Sequence, residues 1–331
     1  MNSKPRTQHT QALLMLLLAN LFWGVSFPVV KAMALLHEQL MPGVSSWFSA
    51  ICTVAPRFLF ATAALVLWQW RSLFTTTRGE LKQGVVIGLF ASVGMLLQTD
   101  GLHYTAASTS SFLTQFYAIL IPVYVALRAR RNPGGRVWVS SALVLVGVAI
   151  LGHFDWRELH LGRGEWETLL ASVFFMGQIL WLEKSEFAAN RPQKVTLVMC
   201  ATLAVIFTLL AFLATPSLAM LAAPWTSPAW LGFILILAVC CTLIAFSLMI
   251  AWQPKITATE AGLIYCVEPI FGSVMALFLP ALFSVWAGLN YANEKATWTL
   301  LVGGGLVTLA NVFIQWRPTQ QLEQVEAQAN L

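Results

Sequence analysis

Ten apolar runs, arranged as two sets of five, occupy nearly all of the 331-residue chain. About 20 apolar residues form one helical crossing of a bilayer. Inside lipid, every backbone N–H and C=O must find a partner within its own segment, so runs of this length predict helices. The sequence therefore predicts an all-α polytopic membrane protein. Its ten transmembrane helices are expected at residues 11–31, 48–70, 81–101, 106–127, 136–152, 167–183, 195–215, 229–252, 259–280 and 296–316.

The basic residues predict the orientation of these helices. If the N-terminus is cytoplasmic, fourteen lysines and arginines lie on the inner side, and only Arg157, Arg163 and Lys295 lie on the outer side. Such a bias predicts a multi-pass protein of a bacterial-type inner membrane, with both termini in the cytoplasm. The net charge of +5 comes from separate inner loops, so it reflects topology and does not indicate nucleic-acid binding.

The residue types needed for metal binding, disulfides and catalysis are poorly placed. The five cysteines form no CxxC pair, and the five histidines are not spaced as metal ligands. The chain has no GxxxxGK[ST] phosphate loop, and no predicted span contains a histidine that could activate a serine. We expect no metal, no cofactor and no enzymatic activity.

The two sets of five spans resemble each other weakly. Pro122 in the fourth span corresponds to Pro269 in the ninth, and Phe22 aligns with Phe174. Because five is an odd number, the second set begins on the opposite side of the membrane, so the repeat is inverted. Inverted repeats are typical of secondary transporters, whose substrate site lies near the midplane between the halves. We place the two five-helix halves at residues 1–152 and 153–331.

Several motifs in order resemble those of one known family. They are LFWGVSFPVVK at residues 21–31, RFL at 57–59, FLT at 112–114 followed by Pro122, and Glu268-Pro269. Together these motifs resemble EamA-type carriers of the drug/metabolite transporter superfamily. The resemblance implies a ten-helix carrier that moves small metabolites, often outward, without ATP. Residues 37–55 depart from the pattern and are expected to form an outer amphipathic or half-inserted helix.

Glu268 is the deepest charged residue in the predicted spans. A charge at this depth is costly unless it is paired or faces water. Glu268 can bind a cationic group or take up a proton, or it can be a neutral acid that hydrogen-bonds to a neighbouring helix.

The other polar and aromatic residues of the spans define a candidate pocket around Glu268. Interhelical hydrogen bonding is the alternative role for the uncharged ones. The predicted substrate-binding residues are Trp23, Gln98, Gln115, Tyr117, Gln178, Trp181, Tyr265 and Glu268.

Three charged residues near the predicted outer helix ends are candidates for gating, and Glu268 is the candidate for coupling. The three are Lys31, Arg57 and Asp100. Lys31 can instead extend to the lipid headgroups, and the other two can be interfacial charges. Pro122 and Pro269 are expected to kink their helices.

These features predict a secondary active transporter that works by alternating access and exports small metabolites such as amino acids or amines. Its expected partners are a small-molecule substrate, the lipid bilayer and protons. A carrier of lipid-linked headgroups and a non-transporting membrane scaffold are the alternatives. Aromatic residues with one acid and a few amides suit an amino acid, an amine or an amphipathic metabolite equally well.

Overall fold

The computed structural model of the chain describes residues 4–128, 130, 135–151, 161–256 and 258–315. All regular structure in these residues is helical. Its α-helices are α1 (Lys4–Leu40), α2 (Ser46–Gln69), α3 (Arg78–Gly101), α4 (Ala107–Thr114), α5 (Tyr117–Arg128), α6 (Gly135–Leu151), α7 (Arg163–Leu182), α8 (Pro192–Ala214), α9 (Leu218–Ala222), α10 (Pro228–Ala238), α11 (Ala245–Trp252), α12 (Ala258–Tyr265), α13 (Glu268–Ala276), α14 (Leu279–Ala287) and α15 (Trp298–Gln315).

Six helical segments of the described chain are long and apolar enough to cross a membrane, and a seventh is α13 with α14, bent by 52°. Each predicted span overlaps a helix, and the chain is a multi-pass membrane protein. Apolar side chains point away from the bundle, as with Leu213, which is 82% exposed. A surface of this kind is stable in lipid and not in water. Arg157, the boundary between the two predicted halves and the predicted C-terminal tail lie outside the described residues.

The first helix is longer than predicted. It continues past Lys31 to Leu40, and α2 begins at Ser46 after a five-residue turn. The expected outer helix at residues 37–55 is therefore wrong, because its two ends complete α1 and α2. The Ser45 hydroxyl accepts a hydrogen bond from the Phe48 N–H at 3.2 Å and so caps the start of α2.

Two of the predicted spans are interrupted. The fourth is split between α4 and α5 at Gln115 and Phe116, and the ninth between α12 and α13 at residues 266–267. The second interruption directly precedes Pro269, as expected. The first lies six residues before Pro122, where the Thr114 hydroxyl bonds back to the Ser110 carbonyl at 2.8 Å. Such back-bonding competes with the helical ladder and bends helices.

Helices of the two predicted halves pack directly against each other. α1 contacts α11, α12 and α13, while α3 contacts α7 and α8, and α6 contacts α15. Small residues permit the closest approaches. A Cβ atom added at Gly84 would lie 2.6 Å from the Val198 Cβ, and one added at Gly24 would lie 2.6 Å from the Phe271 Cβ.

Candidate functional site

We call the end of the bundle at which α1 ends and α2 begins the predicted outer end, and the opposite end the predicted inner end. Between them, side chains from both halves enclose a central cavity of about 60 Å³. Ligand pockets usually measure roughly 300–1,000 Å³. The cavity is therefore narrow, with space for a few water molecules. Its lining includes Trp23, Arg57, Gln98, Tyr117, Gln178, Phe246, Tyr265 and Glu268.

Glu268 lies where the ninth predicted span is interrupted. It is the first residue of α13 and is 6% exposed. One of its oxygens accepts a hydrogen bond from the Gln115 side-chain amide at 3.3 Å. Gln115 itself lies at the interruption between α4 and α5, so the two broken helices meet at this bond. Neither the helix break nor its partner is visible in the sequence, although Pro269 signals a weak point there.

The aromatic wall of the cavity joins α1 to the second half. The Trp23 ring packs edge-on against Tyr265 at 5.5 Å and against Phe246 at 5.4 Å between ring centroids. Tyr117 packs edge-on against Tyr265 at 6.4 Å. Asn20, one turn before Trp23, is fully buried and donates from its side-chain amide to the Ile264 carbonyl at 3.0 Å. This bond holds α1 against the end of α12.

Arg57 is not near the outer end of its helix, contrary to the expectation. It is the twelfth of the 24 residues of α2, because residues 46–55 form the first half of that helix. Its side chain is 2% exposed and lines the cavity. The guanidinium donates to the Thr242 hydroxyl and, at 2.9 Å, to the Cys241 carbonyl.

These two acceptors belong to a π-helical segment, Val239–Ile244, between α10 and α11. The wider turn of a π-helix changes the direction of its carbonyl groups, and such segments are frequent at functional sites. Arg57 therefore binds neutral oxygens at a local irregularity of the eighth predicted span.

The remaining predicted pocket residues divide between two locations. Gln98 and Gln178 line the cavity, and the Gln98 amide donates to the Thr114 hydroxyl at 2.8 Å. Trp181 lies one turn further towards the predicted inner end. It borders a separate groove of about 610 Å³, and the Lys184 ammonium lies 3.6 Å from its ring centroid. Trp181 therefore does not line the central cavity.

Lys31 and Asp100 contribute to what we call the outer closure, with Arg163 and Glu294. The Lys31 ammonium donates to the carbonyls of Leu102, His103 and Thr105 at 2.7–3.2 Å. It therefore joins α1 to the turn between α3 and α4 and does not extend to the headgroups. Asp100 is fully buried and pairs with the Arg163 guanidinium at 2.5 Å.

Glu294 completes the outer closure from the loop before α15. Its carboxylate accepts from the backbone N–H groups of Ala107 and Ser108 at 3.0 and 3.4 Å and from the Ser108 hydroxyl. These groups lie at the start of α4, where unpaired N–H donors favour an anion. The sequence gives no sign of the role of Glu294, because its loop has no helical periodicity.

A buried hydrogen-bond network beside the outer closure was also missed. The Ser49 hydroxyl lies 2.8 Å from His37 Nδ1 and 2.9 Å from His103 Nε2, and Trp230 Nε1 donates to His37 Nε2 at 2.8 Å. Trp230 is 1% exposed, although its place near a helix end predicts an interfacial anchor. The four residues come from distant parts of the chain, so no local pattern connects them.

The predicted inner end is closed by a shorter chain of contacts. The Tyr265 hydroxyl donates to the Gln253 side-chain oxygen at 2.9 Å, and the Gln253 amide donates to the Ile179 carbonyl at 3.1 Å. Gln253 is fully buried. Polar contacts between helices therefore lie on both sides of the cavity.

Comparisons with known proteins agree with the resemblance in the first half. Residues 10–152 match the EamA-like transporter family, which confirms the resemblance predicted from the motifs. An "uncharacterized transporter" of Archaeoglobus fulgidus is 26% identical over 175 residues, or 53% of this chain and 50% of that protein. The match thus spans about half the length of this curated relative. A solved crystal structure with 18% identity covers 94% of this chain and 99% of its own, with a TM-score of 0.57, which shows a shared fold.

Proposed function

From the match of residues 10–152 to the EamA-like transporter family, we propose that the chain is a secondary active transporter of small metabolites such as amino acids or amines. Its ten transmembrane helices form two inverted five-helix halves in a bacterial-type inner membrane, with both termini in the cytoplasm. The direction is outward, as the resemblance to EamA-type carriers implies.

One observation carries the proposal: a charged, aromatic-walled cavity lies between the halves, at the point where two helices are broken. Secondary transporters place their substrate site near the midplane, at discontinuous helices. A narrow cavity with polar contacts on both sides fits an intermediate of alternating access. The outer closure and the Tyr265–Gln253 contact then open in turn.

The more specific part of the proposal is that transport is coupled to protons through Glu268. Glu268 is buried, faces the cavity, and has one neutral partner, Gln115. An intramembrane carboxyl group of this kind is a site for a proton or for a cationic substrate group. If the two compete for the same carboxylate, uptake of a proton releases the substrate, and the result is antiport.

The test is flux in proteoliposomes over a panel of amino acids and amines, with and without an imposed pH gradient. We compare the unaltered chain with Glu268→Gln and with Glu186→Gln, an exposed carboxylate at the predicted inner end. We expect gradient-driven flux to be lost in Glu268→Gln and retained in Glu186→Gln. Equal flux in all three proteins assigns Glu268 a structural role. Flux that ignores the gradient refutes proton coupling and leaves the carrier intact.

A further inference from the structure

Arg57 is a buried cation without a counter-charge. It lies at the middle of α2, and both of its hydrogen-bond acceptors, Thr242 and Cys241, are neutral. Among the described residues, no carboxylate lies within ion-pairing distance of its guanidinium. Arginine remains protonated in proteins. A buried, unpaired charge is strongly unfavourable, so an anion arriving at this position is stabilised.

Some N–H donors of the Arg57 guanidinium form no hydrogen bond with the described residues. Its five N–H groups form a planar fork that matches a carboxylate, and the two bonds to Thr242 and Cys241 come from Nε and Nη2. The Nη1 group has no hydrogen-bond acceptor among the described residues. Because Arg57 lines the cavity, this unused part of the fork is available to a ligand there.

Two further donors of the cavity wall are unused. Trp23 Nε1 and Gln178 Nε2 are buried and have no hydrogen-bond partner among the described residues. Both residues line the same cavity as Arg57. Buried polar groups are normally satisfied, and unsatisfied ones need an explanation. Together the three side chains form a donor-rich region that suits the lone pairs of a carboxylate.

Glu268 supplies the opposite charge in the same cavity. It forms no ion pair with Arg57 or with any other described cation. The cavity thus presents a separate cation and a separate carboxylate, and a ligand with both charges neutralises both. Phe175, Phe246, Met95 and Met249 provide apolar wall for the rest of the ligand.

We propose that Arg57, with Trp23 and Gln178, is a carboxylate-binding subsite, so that the substrate is a zwitterionic amino acid with an apolar side chain and not an amine. The inference rests on the proposed carrier function and narrows its substrate class. Arg57 binds the carboxylate and Glu268 the ammonium group. A simple amine leaves Arg57 unpaired, and a simple carboxylic acid leaves Glu268 without its cation.

The experiment uses three ligands that differ by one charged group: phenylalanine, phenethylamine and 3-phenylpropionate. Counterflow of each is measured in proteoliposomes with the full chain, Arg57→Gln, Trp23→Phe and Arg71→Gln. Trp23→Phe keeps an aromatic ring and removes the N–H donor together with part of the indole, so it tests the subsite even if Arg57→Gln fails to fold. Arg71 is the matched control, because it is exposed and stacks on Trp70.

We expect the unaltered chain to exchange phenylalanine and neither single-charge analogue. Loss of a hydrogen bond to a charged group lowers affinity roughly 10- to 100-fold, and we expect this for phenylalanine in Arg57→Gln. A smaller loss is expected in Trp23→Phe and none in Arg71→Gln. Equal exchange of phenylalanine and phenethylamine by the unaltered chain overturns the inference. The proposed carrier function is unaffected by that result. No saturable exchange of any amino acid or amine overturns the proposed function as well.

Discussion

Asp100 and Arg163 illustrate how a single pair of side chains joins the two halves at the predicted outer end. Asp100 is fully buried, and the Arg163 side chain is 43% exposed. Arg163 also binds Glu167 at 2.7 Å and the Tyr104 hydroxyl at 2.7 Å. The arginine therefore has alternative partners, whereas the buried aspartate depends on it.

We predict that Arg163→Gln lowers the free energy of unfolding by about 1–3 kcal/mol, because it leaves a buried carboxylate unpaired. Asp100→Asn removes that charge, so the double variant should be more stable than the sum of the single effects implies. Thermal unfolding in detergent, followed by tryptophan fluorescence, measures the cycle. Strict additivity would contradict a direct interaction.

His103 gives the outer end a dependence on pH. Burial lowers its pKa below the usual 6.5, while nearby Asp100 opposes this shift and Lys31 reinforces it. In the unfolded chain the imidazole takes up a proton near pH 6.5. Below that pH the unfolded state binds more protons than the folded state, so stability falls as the pH is lowered.

We therefore predict that the melting temperature of the unaltered protein drops more between pH 7.5 and pH 5 than that of His103→Gln. Glutamine stays neutral throughout this range and can still reach the Ser49 hydroxyl. Melting curves at several pH values compare the two proteins. Parallel slopes would show that His103 does not titrate in this way.

At the scale of single residues, charged side chains in the spans can be recognised from the sequence, whereas the groups that they contact cannot. Glu268 stands out in the sequence, because a lone acid in an apolar run can be recognised without knowledge of the fold. The expectation of Arg57 near an outer helix end is wrong, because residues 46–55, expected to belong to a separate outer helix, form the first half of α2. Glu294 and the pair of Ser49 and His103 were missed, since their contacts connect loops and helix ends far apart in the chain. Only the fold brings such groups together.

At the scale of helices, α1 and α13 pack so closely at Gly24 that there is no space for a side chain there. A Cβ added at Gly24 would lie 2.8 Å from the Gly272 nitrogen, in addition to its clash with Phe271. Backbone atoms cannot move aside as a flexible side chain can. The same helix pair carries Trp23 and Glu268, so a small separation here displaces the cavity walls.

We predict that Gly24→Ala destabilises the protein by about 1–3 kcal/mol, as overpacking does, and reduces transport. Gly305→Ala is the matched control: it lies in α15 with no atom within 4 Å of the added Cβ. In that helix, alanine should be neutral or stabilise by up to about 1 kcal/mol. Thermal unfolding and proteoliposome flux of both variants test this, and equal behaviour of the two would contradict the close packing.

The length of the apolar runs predicts the positions of the helices well, because lipid requires long apolar segments whatever their neighbours are. It could not locate the breaks at Gln115 and at residues 266–267, nor the π-helical turn at Val239–Ile244. The break at residues 266–267 lies beside the bond from Asn20 of α1 to the Ile264 carbonyl, and the π-helical turn accepts bonds from Arg57 of α2. A single segment carries little information about them.

At the scale of the whole molecule, the proposed alternating access requires the outer closure to open during transport. Glu294 holds the start of α4 to the loop before α15 through Ala107 and Ser108. Weakening this contact should favour the conformation open to the outside. Loss of a contact that stabilises only the closed state moves the equilibrium between the two conformations towards the open one.

We predict that Glu294→Gln speeds the labelling of Ser26→Cys by a membrane-impermeant maleimide added outside intact cells. Ser26 lines the cavity, and the experiment uses a variant without the native cysteines. Glu186→Gln, at the predicted inner end, should leave the labelling rate unchanged. If Glu294→Gln labels no faster than the control, Glu294 is not part of the outer gate.

The contacts of α1 have a consequence for the order of synthesis. Asn20 is made 244 residues before its partner Ile264, and His37 is made 193 residues before Trp230. At about 5–20 residues per second, the first delay lasts about 12–50 s. For that time the earliest helix holds polar groups whose partners do not yet exist. The contact of Asn20 can therefore form only once synthesis has reached the last quarter of the chain.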